Sequence, residues 1–229
     1  MTTVMVSQSN YLPWKGYFDL ARRADVLVLL DNVQFTRRDW RSRNIIKTPS
    51  GVQWLTVPVR TPNGRMTSVS EAEISDEGWA KLHLRALELS YRRTPYFEQV
   101  FGVLEECMHR GEALLSNLNE RILRTLSEFM DLDIEIQVAR GPVEEVDPSD
   151  RILDLVQRWG GTRYISGPAA RSYLDTSVFA DAEVEVDFID YPSYPEYEQL
   201  WPPFRHEVSM VDVLFHLGPD WRSALGDSG

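Results

Sequence analysis

Two short apolar runs bound what this chain can fold into: "TVMVS" at 3–7 and "DVLVLLD" at 25–31. Each suits one buried strand and is too short for a buried helix. Between them there is room for one loop and one short helix. Trp14, Tyr17, Phe18 and Ala21 fall at helical spacing across 14–23. Strand, loop, helix, strand opens a parallel α/β sheet. The expected fold class is therefore α/β, a Rossmann-like, mostly parallel sheet flanked by helices. In such sheets ligands sit beyond the carboxyl ends of the strands. The two least strand-like segments lie there, "QSNYLPW" after the first run and "DNVQFTRRDW" after the second.

The rest of the chain fits that frame. "RNIIKTPSGVQWLTVPVR" reads as a β-hairpin around the turn "TPSG". Residues 76–131 read as three helices, broken at Thr94-Pro95 and at Gly111. "DIEIQV", "RYISG" and "EVEVDFI" read as strands. "DPSDRILDLVQRWGG" reads as a helix with Ser149 as N-cap and Gly160 as its stop, and "AARSYLD" as another. After the Tyr- and Pro-rich "YPSYPEYEQLWPPF", the run "VSMVDVLFHLG" reads as an amphipathic helix, and the last few residues as disordered. We expect one domain, 1–229, with a helical subdomain at about 76–131.

Charge narrows the partners. The chain carries a net −11, which argues against a general nucleic-acid binder or nuclease. Residues 15–65 nevertheless hold ten Lys or Arg and four Asp or Glu, a local balance of +6. A basic segment in an acidic chain points to a small anionic ligand, such as a phosphorylated substrate. No apolar run approaches the ~20 residues of a membrane span, and no secretory signal pattern opens the chain. Cys107 is the only cysteine, so no internal disulfide forms. A cytoplasmic location, without membrane partners, is expected.

The candidate binding residues follow. In the first loop and helix, Gln8, Asn10, Tyr11, Trp14 and Tyr17 offer amides, phenols and an indole that orient polar ligands and stack on rings. In the basic segment, Gln34, Arg38, Trp40, Arg41, Arg43, Asn44 and Lys47 form a candidate clamp for phosphate or carboxylate. Asp31, at the end of a strand, is a candidate for orienting hydroxyls or an amine. Ser166 and Gly167 lie between a strand and a helix, with Arg171 one turn in, an arrangement that can receive an anion. His83 is the only general-base candidate, because an unperturbed imidazole titrates near pH ~6.5. The four histidines show no metal-ligand spacing, and Cys107 reads as core. No GxSxG, P-loop or GxGxxG motif is present.

Taken together, "QSNYLPWKGYFDL", "ADVLVLLDNVQFTRRDWRSRNIIKTPSGVQWLTVPV", "YISGPAARSYLD" and "YEQLWPPFRHEVSMVDVLFHLG" resemble the WbqC family over nearly the whole chain. The resemblance implies a place among enzymes of surface-polysaccharide, lipopolysaccharide O-antigen or natural-product biosynthesis. One departure is Gln8-Ser9, where the family usually has Gln-Pro. In layout the chain is also similar to pantoate–β-alanine ligases and related nucleotidylyltransferase-like enzymes. Those carry His-x-Gly-His where this chain has Trp14-Lys15-Gly16-Tyr17, so ATP-dependent adenylation loses its histidines here.

These resemblances imply a transferase or amide-forming ligase that joins an acyl or aminoacyl group to the amine of an activated sugar or related small molecule. ATP or an acyl or aminoacyl donor is the implied cofactor class, and no metal is. The alternative is a non-catalytic module that binds a pathway enzyme, a carrier protein or a nucleotide-sugar intermediate. The Tyr- and Pro-rich segment discriminates. Exposed, it is a partner surface; folded over the 8–18 loop, it is a substrate lid.

Overall fold

The computed structural model describes residues 1–141, 146–191 and 193–226. Residues 227–229, expected to be disordered, and Pro192 of the Tyr- and Pro-rich segment lie outside them. The strands are β1 (Thr3–Ser7), β2 (Val26–Leu29), β3 (Arg43–Thr48), β4 (Gly51–Thr56), β5 (Val59–Arg60), β6 (Glu73–Ile74), β7 (Glu135–Val138), β8 (Arg163–Ser166) and β9 (Glu185–Phe188). The α-helices are α1 (Lys15–Ala21), α2 (Trp79–Tyr91), α3 (Phe97–His109), α4 (Leu115–Phe129), α5 (Pro148–Arg158), α6 (Ser177–Asp181) and α7 (Met210–Leu217).

Five strands form one parallel sheet in the order β7-β2-β1-β8-β9. This is the expected Rossmann-like α/β fold. Alternation along the strands splits the core in two. Met5, Leu27, Leu29 and Ile165 face a large core shared with α1–α4 and α7. Val4, Val26, Val28 and Tyr164 face a smaller one under α5 and α6. In register, Val4 lies opposite Val26 and Tyr164, and Met5 opposite Leu27 and Ile165.

From β1 the sheet grows one way through β2 and β7. The chain then returns to place β8 and β9 on the other side of β1. The chain thus leaves the carboxyl ends of β1 and β8 in opposite directions. That divergence opens a crevice, the usual ligand position in open α/β sheets.

The hairpin forms as expected, with β3 and β4 antiparallel around residues 48–51. Helix α5 starts differently. Asp147, not Ser149, is its N-cap and accepts from the Ser149 backbone N–H, with Pro148 at the first helical position. Gly160, at φ 68°, stops it as expected. The segment after β8 is not one helix. Pro168–Ser172 makes a 3-10 turn and α6 begins only at Ser177.

Candidate functional site

The loop between β1 and α1 is fixed by its own backbone. The Ser9 N–H donates to Asp31 Oδ1 (2.8 Å), and the Tyr11 N–H to the Trp40 carbonyl (2.9 Å). The Tyr11 carbonyl accepts from Asn44 Nδ2 (3.2 Å) and the Leu12 carbonyl from Ser209 Oγ (2.7 Å). Between those two anchored carbonyls, Leu12 adopts φ 45° while fully buried. A leucine in the left-handed region persists only where its surroundings over-determine it, which is frequent at ligand sites.

The loop bounds a cavity of about 430 Å³ between the carboxyl ends of β1 and β8. Gln8, Asn10, Trp14, Tyr17, Arg41, Ser166 and Gly167, all expected at a site, line it together. Three buried polar atoms on this wall make no hydrogen bond within the described protein: Asn10 Oδ1, the Tyr17 hydroxyl and Arg41 Nε. Burial above all, with Asp31 adding to it, pushes the Tyr17 phenol up. The nearby Ser7 hydroxyl and Arg41 guanidinium only partly oppose this, and Ser7 makes no hydrogen bond of standard geometry to the phenol. Tyr17 is therefore protonated at neutral pH. The Arg41 guanidinium also donates to Gln8 Oε1 and pairs with Asp39 (2.9 Å). Ser166 Oγ accepts from the Tyr164 hydroxyl (3.2 Å). A second hollow of about 450 Å³ lies beyond Leu30, between Arg140 and α5. Two of its charges pair along α5, Arg158 with Asp154 (2.7 Å).

The other expected residues do not reach the cavity. The Tyr11 hydroxyl is turned into the core, 2.8 Å from His83 Nδ1. His83 is buried, and burial lowers its pKa to about 4 against a small upward pull from a backbone hydrogen bond at Thr56. The imidazole is neutral at physiological pH and is not at the surface or in a groove. Asp31 is fully buried and holds the Ser9 N–H and the Ser116 hydroxyl, so it braces the loop. Asn44 does the same from β3. Lys47 is buried in β3. Gln34 and Arg38 are exposed. Trp40 and Arg43 meet Trp54 on the hairpin, ring to ring at 5.5 Å and guanidinium to ring at 4.1 Å. Arg171 is exposed and donates to the Phe188 carbonyl (3.2 Å) and Asp190 (3.3 Å).

Two tyrosines on the cavity wall, Tyr164 and Tyr173, escaped the sequence reading, and a third, Tyr191, opens the Tyr- and Pro-rich segment. Tyr191 follows β9, so the rule that selected the 8–18 loop, unusual residues just past a buried strand, also points to it. Its ring meets Trp14 edge-on (5.0 Å, 73°). A Cβ on Gly167 would stand 2.9 Å from the Tyr191 hydroxyl, so glycine lets this phenol close the rim.

Beyond Tyr191 the segment folds back over the first loop. The Tyr194 hydroxyl donates to Asp19 Oδ2 (2.9 Å) and its ring meets Trp14 edge-on (6.1 Å). Buried Asp212 accepts from the hydroxyls of Tyr91 (2.8 Å) and Tyr197 (2.6 Å). The Lys15 ammonium sits over Tyr194 (4.9 Å), Tyr197 (5.6 Å) and Phe204 (5.7 Å). Burial lowers its pKa to about 8, opposed by Asp212 and Glu207.

Comparison with known proteins agrees with the sequence motifs. Residues 8–224 match the WbqC-like protein family. This chain belongs to that family. The uncharacterized protein Rv1507c of Mycobacterium tuberculosis (strain ATCC 25618 / H37Rv) is 37% identical over 221 residues, covering 96% of each chain. No solved structure gives a significant match. Among the described residues no helix is long and apolar enough to cross a membrane.

Proposed function

We propose that this WbqC-like protein is a cytoplasmic biosynthetic enzyme of a surface-polysaccharide or natural-product pathway. It transfers or ligates an acyl or aminoacyl group to the amine of an activated sugar or related small molecule. Gln8, Asn10, Trp14, Tyr17, Arg41, Ser166 and Gly167 bind that substrate, and Asp31 and Asn44 hold the loop that presents them. The observation that carries this reading is the set of unused buried polar atoms on the cavity wall, Asn10 Oδ1, Tyr17 Oη and Arg41 Nε. Buried polar groups in native proteins are nearly always paired, and one left unpaired costs about 1–3 kcal/mol. Three at one strand-edge crevice are accounted for by a ligand.

The lining supplies no cysteine, histidine or carboxylate among the described residues. Its two serines, Ser7 and Ser166, have no histidine partner. The chemistry that fits is direct displacement. The amine nitrogen attacks the acyl carbon of a donor activated elsewhere, the leaving group departs with its bonding electrons, and the proton lost from nitrogen passes to that leaving group or to water. The packing of Tyr191, Tyr194 and Tyr197 over the first loop favours a substrate lid over an exposed partner surface.

The test is a thermal-shift screen of the whole protein against ATP, AMP, acyl-CoA donors and UDP- and dTDP-sugars, amino sugars included. A ligand at a hundred times its Kd adds about 2.7 kcal/mol. The expected result is stabilisation by sugar nucleotides that Arg41→Ala removes, with an amide product detected by mass spectrometry once a donor is added. Stabilisation by ATP or AMP alone restores the adenylating ligase. No stabilisation by any of them overturns the enzyme reading in favour of a partner-binding module.

A further inference from the structure

We propose that the cavity between β1 and β8 holds the sugar ring of the substrate, an uncharged polyhydroxylated ring, while its phosphate groups lie outside. This rests on the reading above of an enzyme acting on an activated sugar. It assigns which part of that substrate the site recognises.

Charge decides first. The lining carries one charged side chain, Arg41, whose Nη1 and Nη2 already donate to Asp39 and Gln8. A diphosphate needs several cationic or N–H donors. An ammonium group needs a carboxylate, and none of the described lining residues has one, so the acceptor amine sits here as the neutral amine that attacks the acyl carbon. Neither end of a strongly charged ligand is compensated here.

The unused groups then describe the complement. Asn10 Oδ1 only accepts, Arg41 Nε only donates, and the protonated Tyr17 hydroxyl does both. Phosphate and carboxylate oxygens only accept, so they would leave Asn10 Oδ1 unpaired. Neighbouring ring hydroxyls each donate and accept, and they satisfy the whole set. Trp14 and Tyr191 add the apolar edge that covers the C–H face of such a ring. The volume agrees. At about 430 Å³ the cavity is large enough to seat a hexose ring.

The experiment uses the full chain and four probes: a set of hexose 1-phosphates (amino sugars included), the corresponding UDP-sugars, UDP and inorganic pyrophosphate. Binding is read by thermal shift and by saturation-transfer NMR. Hexose phosphates and UDP-sugars should each raise the melting temperature by about 3–5 °C at about tenfold over Kd. UDP and pyrophosphate should leave it unmoved, and saturation should transfer most strongly to sugar-ring protons. Tyr17→Phe and Asn10→Ala should melt like the wild type without ligand, since each removes an atom with no protein partner. Each should weaken hexose-phosphate binding by about tenfold or more. If UDP or pyrophosphate matches the UDP-sugars, or both variants bind as tightly as the wild type, the assignment is overturned while the enzyme reading stands. If no hexose phosphate and no UDP-sugar binds, the assignment and the activated-sugar reading fall together.

Discussion

Arg41 and Arg43 stand two residues apart in one basic segment, yet their surroundings give them different work. Arg41 lines the cavity between β1 and β8, whereas the Arg43 guanidinium lies outside that lining, over the Trp54 ring at 4.1 Å. Arg43→Ala should therefore leave ligand binding intact and cost about 1 kcal/mol or less of stability. Loss of binding in that variant, read by the same thermal shift, would return Arg43 to the site. His83 makes a second residue-scale prediction. Its pKa is about 4 in the fold and ~6.5 when unfolded. Between those values the unfolded chain binds a proton that the native protein refuses. His83's contribution is therefore complete above about pH 6.5 and declines as pH falls toward about 4, by on the order of 3 kcal/mol. His83→Gln has no such proton to gain. The wild-type-minus-variant stability from urea melts should drop across that window, and a flat difference would mean that His83 titrates like an exposed imidazole.

Among the elements, the turn into α1 and the turn out of β8 are both built on glycine, and they should respond differently. A Cβ on Gly16 would stand 2.2 Å from the rigid Trp14 indole, so Gly16→Ala must displace that ring and should cost about 1–3 kcal/mol. A Cβ on Gly167 would meet only the far end of Tyr191 at 2.9 Å. Gly167→Ala should melt near the wild type but weaken ligand binding, because the phenol that closes the rim must move. Equal destabilisation of the two variants would show that Tyr191 is as fixed as Trp14. These turns also mark how far the sequence could be read. Short apolar runs identify strands one at a time, so β1, β2 and the odd loop beyond β1 were legible, and with them Gln8, Asn10, Trp14 and Tyr17. Pairing across the chain was not: β1 meets β8 only after about 160 residues, and local periodicity carries no such information. Tyr164 lay hidden for that reason, since an aromatic in a strand looks the same whether it faces core or cavity. Charge patterning found the basic segment, but the segment runs into a hairpin. There Lys47 is buried and the Arg43 guanidinium lies over Trp54, so only Arg41 remains at the wall.

The whole molecule raises the question of whether the helices α2–α4 form a unit of their own. Their position between β6 and β7 invites that division, but the packing opposes it. Leu87, Leu104 and Leu118 belong to the same core as Met5 and Leu27 of the sheet, Phe18 of α1 and Phe215 of α7. Polar links run the same way. The Tyr91 hydroxyl of α2 donates to Asp212 of α7, and Ser116 and Asn119 of α4 hold the loop and its Asp31 brace. Unfolding these helices alone would expose the large core and strip the site loop of its supports. One cooperative transition is expected, with far-UV circular dichroism and tryptophan fluorescence coinciding in denaturant. Leu118→Ala in α4 and Leu155→Ala beneath the opposite face should each cost about 2–5 kcal/mol. Both should shift the one transition without broadening it. If Leu118→Ala instead split it into two steps, with the tryptophan and backbone signals no longer superimposing, α2–α4 would be an independently unfolding unit. The binding loop would then owe its shape to the sheet alone.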